Sequence, residues 1–136
     1  MDLRGATALV TGASSGIGMA TAEALAAAGV AVAVSGRRRD ELQTLAERIT
    51  LRGAPRPVVL ATDLAVPHAA AELGACANEA LGRIDILVNS AGAFESGSAA
   101  ASDATARALF ETNYWAPMAL MRVLVRACAR ADGAWS

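Results

Sequence analysis

Three glycines and two serines lie close together near the start of the chain, in the segment Thr11–Gly18 with the sequence TGASSGIG. Glycine lets a backbone turn sharply and approach a ligand closely. An apolar run precedes this segment and a helical pattern follows it, and the first turn of such a helix offers free N–H groups to a phosphate. The spacing G-x-x-x-G-x-G differs from the common fingerprint G-x-G-x-x-G, so an ordinary strand-to-helix turn remains an alternative. The candidate phosphate-binding residues are Gly12, Ser14, Ser15, Gly16, Ile17 and Gly18.

Three consecutive arginines follow the second apolar run, in the segment Ser35–Arg39. An NAD site usually has an acidic residue about 20 residues after the glycine loop, bonded to the ribose 2′-hydroxyl. Gly36 stands at that place, and a guanidinium next to it can hold a 2′-phosphate with two hydrogen bonds. Arg37 and Arg38 therefore predict NADP rather than NAD. The alternative is a solvated helix start, although arginines there oppose the helix dipole.

Short polar segments follow two further apolar runs: Asp63-Leu64 and Asn89-Ser90-Ala91-Gly92. The carboxyl ends of parallel strands meet at one edge of a sheet, so these residues are expected near the glycine loop. They complete the candidate site at the ends of four strands.

The elements that must position these residues alternate along the chain. Strands are predicted over Ala6–Val10, Val30–Ser35, Pro57–Ala61 and Ile84–Asn89. Helices are predicted over Ile17–Ala28, Asp40–Leu51, Pro67–Leu81 and Asp103–Ala131, the last with a bend at Pro117. Ser90–Ala101 is a predicted loop, and residues 134–136 are interpreted as the start of another strand. The alternation predicts an α/β fold: a doubly wound, Rossmann-type parallel sheet of order 3-2-1-4 in three α/β/α layers, with its ligand site between strands 1 and 4.

Composition excludes several other classes of function. The 136 residues carry a formal net charge of -1, which offers no attraction to nucleic acid or to an anionic membrane. No apolar stretch is long enough to span a bilayer, and the N-terminus does not resemble a signal peptide. Cys76 and Cys128 lack metal-ligand spacing and are predicted to be reduced core thiols of a cytoplasmic protein, with no metal site. His68 is predicted to lie on the surface.

These motifs together resemble the short-chain dehydrogenase/reductase family. Thr11–Gly18 matches its T-G-x-x-x-G-I-G motif, and Asn89–Gly92 matches its N-N-A-G motif with Ser90 in place of the second asparagine. Asp63-Leu64 and Asn113 match two further motifs. The resemblance covers the whole chain, which corresponds to about the first half of such a domain. We therefore expect residues 1–136 to be one NAD(P)-binding domain, truncated relative to the family and incomplete at its C-terminus.

The resemblance implies a role for each matched residue. Asp63 would bond the adenine amino group, Asn89 would brace the sheet beside the ribose, and Gly92 would let the backbone pass the cofactor. Asn113 would be the asparagine of the catalytic tetrad, holding a water in a proton relay. Simpler alternatives are a cap or turn for Asp63 and an interior polar kink for Asn113. Outside the glycine loop, the implied cofactor residues are Arg37, Arg38, Asp63, Leu64, Asn89, Ala91 and Gly92.

The other catalytic residues of the family have no match in this sequence. The family uses a serine and a Y-x-x-x-K pair, in which tyrosine is the general acid/base. All basic residues here are arginines, and Met118 stands four residues after the only tyrosine, Tyr114. Ser136 is interpreted as a chain end rather than a catalytic serine. The 136 residues are therefore predicted to bind cofactor without turning over a carbonyl or alcohol substrate.

Three classes of function follow: an NADP-dependent oxidoreductase acting on small carbonyls or alcohols in a complete parent, a non-catalytic NADP-binding module, and an interaction or regulatory module using the long helix.

The apolar side of the long helix 103–131 includes Leu109, Leu120, Met121, Leu124 and Cys128. Strand 4 is predicted to form a sheet edge. We expect Leu120, Leu124 and Cys128 to be exposed, and the chain to be marginally stable and to form homo-oligomers through helix 103–131, to aggregate or to need a partner.

Overall fold

The computed structural model describes residues 2–94 and 102–131 of the chain. Its strands are β1 (Thr7–Val10), β2 (Ala31–Gly36), β3 (Val58–Ala61) and β4 (Ile86–Val88). Its helices are α1 (Gly16–Ala27), α2 (Arg39–Leu51), α3 (Ala69–Leu81), α4 (Asp103–Phe110) and α5 (Ala116–Ala131). A π-helical turn, Glu111–Trp115, joins α4 to α5. The strand predicted over residues 134–136, Ser136 itself and most of the predicted loop Ser90–Ala101 lie outside the described residues.

The four strands form one parallel sheet of order β3-β2-β1-β4, which confirms the predicted topology. All four residues of β1 are buried, and its side chains alternate between two cores. Ala8 and Val10 pack with α1 and α2 on one face of the sheet. Leu9 packs with α3 and α5 on the other face. The helices therefore cover both faces, as a doubly wound sheet requires.

The start of α3 departs from the sequence prediction. We expected a helix from Pro67, whereas α3 begins at Ala69, after His68 in a left-handed conformation with a φ of 70°. Asp63 starts a series of tight turns before it: its backbone carbonyl accepts from the N–H of Val66, whose own carbonyl accepts from the N–H of Ala69. His68 is exposed, as predicted.

The long C-terminal helix is irregular earlier than predicted. We expected a bend at Pro117, whereas the structure has a π-helical turn over Glu111–Trp115, where the N–H of Ala116 donates to the carbonyl of Glu111. Pro117 supplies the reason, because it has no N–H to donate to the carbonyl of Asn113 and its ring crowds that carbonyl. The backbone widens in the turn that precedes the proline.

The buried side of α5 also differs from the prediction. Leu120 and Leu124, expected to be exposed, are 0% and 5% exposed, because they pack against α3. Gly74 makes this close packing possible: a side-chain carbon there would lie 3.1 Å from Cγ1 of Val123. Met121 is exposed instead.

The two cysteines are not core thiols. Cys76 and Cys128 are free and exposed, which contradicts the predicted burial, although exposure of Cys128 was expected from the helix pattern. The buried residues of α3 follow a helical spacing of three and four that leaves Cys76 outside the buried face: Ala70, Leu73, Gly74 and Ala77.

Among the described strands, β4 lies at one end of the sheet and has β1 as its neighbour. This placement agrees with the predicted edge. In the described part of the chain, no helix combines the length and the apolar character needed to cross a membrane.

A polar cluster ties the amino ends of β1 and β4 together. The Thr7 backbone N–H donates to Oδ2 of Asp85 at 3.0 Å, and the Thr7 hydroxyl donates to the carbonyl of Arg83 at 2.7 Å. Nε of Arg83 lies 3.0 Å from Oδ1 of Asp85. The Thr7 N–H, which bonds the charged carboxylate, lowers the pKa of Asp85 below its ordinary value.

We expect Asp85→Asn to lower the free energy of unfolding by about 1 kcal/mol at pH 7, since it weakens charge-assisted bonds to Thr7 and Arg83. Because folding depresses the pKa of this carboxyl group, its contribution is complete above the unfolded pKa of about 3.9 and is lost as the pH falls through the lower folded value. Urea unfolding of both proteins between pH 2 and 7 measures the difference. Glu79→Gln, at an exposed position of α3, is the control for loss of one negative charge. A difference that stays constant over this range would contradict the assignment.

Candidate functional site

A cleft of about 810 Å³ opens at the carboxyl ends of the strands. The segments that follow all four strands contribute to its walls, and α4 closes one side. Most of the predicted cofactor residues line it: Gly12, Ser14, Ser15, Gly16, Ile17, Arg37, Arg38, Asp63, Leu64, Ala91 and Gly92. Gly18, Asn89 and Asn113 do not belong to the lining.

The glycines after β1 are required by the backbone and by its neighbours. Gly12 and Gly16 have φ angles of 63° and 57°, in the left-handed region that favours glycine. A side-chain carbon on Gly12 would also lie 2.6 Å from the carbonyl oxygen of Ser90. A side-chain carbon on Gly18 would overlap the carbonyl oxygen of Gly12. The loop, the start of α1 and the end of β4 therefore meet with no room for side chains.

The N-terminus of α1 faces the cleft without a cap of its own. Ser15 is the N-cap residue, but its side chain makes no capping hydrogen bond, and the first turn contains no acidic residue. Ser15, Gly16 and Ile17 line the cleft. The first N–H groups of a helix have no carbonyl partner within it. This end of the cleft is therefore suited to an anionic group.

Two arginines stand at the end of β2. Arg37 and Arg38 both line the cleft, beside Gly36. Nη2 of Arg38 donates to Oγ of Ser14 at 3.4 Å. A side-chain carbon on Gly36 would lie 3.2 Å from the same Ser14 oxygen, so the guanidinium lies close to the place where an acidic side chain would stand.

Ser35 also lines the cleft and was missed by the sequence analysis. Its side chain is 1% exposed, and its hydroxyl oxygen has no hydrogen-bond partner among the described residues. A buried hydroxyl without a partner is costly unless a ligand or water satisfies it.

Asp63 follows β3 and is exposed at the cleft. Its Oδ1 accepts a hydrogen bond from the backbone N–H of Ala65 at 3.0 Å, so the proposed turn role is present in the structure. Oδ1 alone is used in this bond, and the carboxylate retains acceptor capacity for a ligand. The neighbouring Leu64 is buried in the core under α3 and α5.

Thr11 fixes the segment after β4, a role that the sequence did not reveal. Its Oγ1 accepts hydrogen bonds from the backbone N–H groups of Ser90 at 3.2 Å and Ala91 at 3.1 Å. Its own N–H donates to the carbonyl of Val88 at 3.0 Å. One side chain thus holds two cleft-lining segments in a fixed relation.

Asn113 lies in the π-helical turn and uses its whole carboxamide on one backbone unit. Oδ1 accepts from the N–H of Ala93 and Nδ2 donates to the carbonyl of Ala93, each at 2.8 Å. Pro117 cannot donate to the main-chain carbonyl of Asn113. Asn113 therefore ties the long helix to the segment after β4 from an exposed position rather than from the interior, while its carbonyl lacks the usual α-helical donor.

The cleft wall contributed by α4 was not predicted. Thr105, Leu109 and Thr112 line the cleft at helical spacings of four and three residues, a face that could have been found from periodicity. Other lining residues outside the predicted set are Thr62, Ala65, Ala93, Phe94 and Ala108, whereas Ser90 belongs to the predicted segment after β4. Among the residues that the structure describes, none form a group of side chains suited to holding a metal ion.

Known proteins share this fold and much of this sequence. Dehydrogenase/reductase SDR family member 7B of Bos taurus is 32% identical over 134 residues, covering 94% of this chain and 41% of that protein. A metagenomic short-chain oxidoreductase in complex with NADP is 34% identical with a TM-score of 0.88, covering 96% of this chain and 60% of that one. A short-chain dehydrogenase from Burkholderia cenocepacia in complex with NADP is also 34% identical, with a TM-score of 0.85, covering 93% of this chain and 52% of that one.

The chain thus spans well under two thirds of the length of these relatives. The model of the family described as short chain dehydrogenase matches residues 6–134, nearly the whole chain. With the parallel sheet, the glycine loop and the cleft above them, this match shows that the chain belongs to the short-chain dehydrogenase family.

Proposed function

We propose that the cleft binds a nicotinamide dinucleotide, with NADP(H) preferred over NAD(H). The observation that carries the preference is the end of β2, where Gly36 stands in place of an acidic side chain and Arg37 and Arg38 line the cleft. An acidic residue there would repel a 2′-phosphate, whereas guanidinium groups attract it. The metagenomic and Burkholderia relatives are complexes with NADP, which supports this proposal.

The residues present fit such a cofactor. The start of α1 has no side-chain cap, and Gly12 lies against Ser90 without a side chain between them. Both features suit a pyrophosphate that approaches the backbone. Asp63 would accept a hydrogen bond from the adenine amino group, and Asn89 would lie beside the ribose. The buried Ser35 hydroxyl would gain a partner from the ligand or from a water that the ligand encloses.

We further propose an oxidoreductase activity for a protein that contains this chain at the full length of its relatives. The bound nicotinamide would supply or accept a hydride, and the other substrate would be a small carbonyl or alcohol. Asn113 would hold a water through its main-chain carbonyl, since its carboxamide is bonded to Ala93. The 136 residues contain no lysine and therefore no Y-x-x-x-K pair, so we infer that they bind cofactor without turnover. A cytoplasmic location is part of this proposal.

We also propose that the chain associates with a second copy of itself through exposed apolar side chains on the long helix from α4 to α5. Several large apolar side chains on this helix are exposed: Phe110, Tyr114, Trp115, Met121 and Val125. Tyr114 and Trp115 pack edge to face with ring centroids 5.0 Å apart. Exposed apolar patches of this kind mark association surfaces.

Cofactor preference is tested by titrating NADP and NAD into the wild type and Arg37→Ala. We expect the wild type to bind NADP about tenfold more tightly or better, because a hydrogen bond to a charged group contributes about 1.5–3 kcal/mol. Arg37→Ala should lose most of this preference while NAD binding stays unchanged. Arg39→Ala removes the same charge from a residue outside the cleft lining and is the matched control. Equal affinities of the wild type for the two cofactors would contradict the preference.

We expect no steady oxidation of NADPH by the 136 residues with a panel of aldehydes and ketones. General acid–base catalysis contributes about 10²–10⁴-fold in rate, and no side chain here supplies the tyrosine–lysine step. Absorbance of NADPH at saturating cofactor measures turnover. Activity that is present in the wild type and absent from Asn113→Ala, prepared in the same way, would contradict the expectation, because a contaminant would be present in both.

Self-association predicts a concentration-dependent sedimentation coefficient for the wild type. Val125 is 66% exposed on α5, and Val125→Glu should weaken association by about tenfold or more, because it places a charge in an apolar contact. Leu51→Glu, at an 88% exposed position on α2, is the matched control and should leave association unchanged. A wild type that remains monomeric at all concentrations would contradict the proposal.

A further inference from the structure

An acidic residue that no motif assigns is bonded to one of the cleft arginines. Oε1 of Glu41 lies 2.6 Å from Nη1 of Arg38, in the closest ion pair that Arg38 makes among the described residues. Glu41 itself does not line the cleft, whereas Arg38 does. The side chains of Arg38 and Glu41 are 55% and 45% exposed, so water surrounds the pair but does not separate it.

The position of Glu41 follows from the start of α2. Arg38 is the N-cap residue of this helix and Glu41 is in its first turn. A carboxylate in a first turn is favoured by the helix dipole, and it reaches the residue three positions earlier. Arg38 is thus held from two sides, by Glu41 through Nη1 and by Ser14 through Nη2. The guanidinium stays beside Gly36, but one of its edges is already occupied.

We propose that Glu41 is a specificity-determining residue that competes with the 2′-phosphate of NADP(H) for Arg38; this inference rests on the proposed function. A phosphate at this arginine would share the guanidinium with a carboxylate that repels it. Arg37 makes no such pair among the described residues and keeps its full charge toward the cleft. Glu41 therefore lowers the affinity for NADP(H) selectively, because NAD(H) has no 2′-phosphate to compete.

The test is Glu41→Gln, which keeps the size and hydrogen-bonding capacity of the side chain and removes its charge. Exposed ion pairs contribute little, so we expect NADP and the fragment 2′,5′-ADP to bind about two- to fivefold more tightly. Binding of NAD and 5′-AMP should be unchanged. Glu47→Gln, at an exposed position later in the same helix, is the control for a general change in charge.

Calorimetric titrations at low and moderate salt separate the outcomes. A gain for NADP and 2′,5′-ADP alone, the two ligands with a 2′-phosphate, that is reduced by added salt supports competition at Arg38. An unchanged or weakened affinity of Glu41→Gln for 2′,5′-ADP, or an equal gain with Glu47→Gln, overturns the role of Glu41. The variant Arg38→Ala distinguishes this failure from failure of the proposed function. If Arg38→Ala weakens NADP binding while Glu41→Gln has no effect, only this inference fails; if the wild type does not bind NADP, both fail.

Discussion

The structure depends on the close approach of three backbone segments at the end of β1. Gly12 contacts the carbonyl of Ser90, and Gly18 packs on the carbonyl of Gly12, at distances that exclude any side chain. This contact places the N-terminus of α1 directly above the sheet and next to β4. Thr11 strengthens it, because its hydroxyl accepts two N–H groups that would otherwise lack a partner in the segment after β4. These contacts fix the position of the segments that form this end of the cleft.

Charged groups at the two ends of the sheet differ in the partners that they have within the fold. At the amino ends, Asp85 receives the N–H of Thr7 and the guanidinium of Arg83, so its charge is satisfied within the fold. At the carboxyl ends, the start of α1 has no acidic residue and no side-chain cap, and the arginines after β2 are exposed. The Asp85 charge is thus satisfied within the fold, whereas at the cleft the start of α1 and Arg37 are available for a ligand and Arg38 is shared with Glu41.

The sequence was sufficient for the sheet order, because buried apolar runs and glycine turns alternate with helical periodicity. Most of the cofactor residues that it predicted line the cleft, since residues after parallel strands must meet at one edge. It could not predict contacts that depend on packing between distant segments. The helix pattern predicted that Leu120 and Leu124 are exposed, whereas α3 covers them. Gly74 lies at this contact. The clamp between Asn113 and Ala93 and the Glu41–Arg38 pair depend on side-chain placement that periodicity does not encode.

The π-helical turn sets the rotational phase of the long helix. In a continuous α-helix, the 11 residues from Leu109 to Leu120 would make about three full turns, so both side chains would point the same way. The π-helical turn contains one residue more than an α-helical turn. Leu120 is therefore rotated by about 100° from the direction that it would have in a continuous α-helix. Leu109 lines the cleft, whereas Leu120 is buried against α3. Because of this rotation, the two side chains point in different directions, and one long helix contributes both to the cleft and to the core under α3.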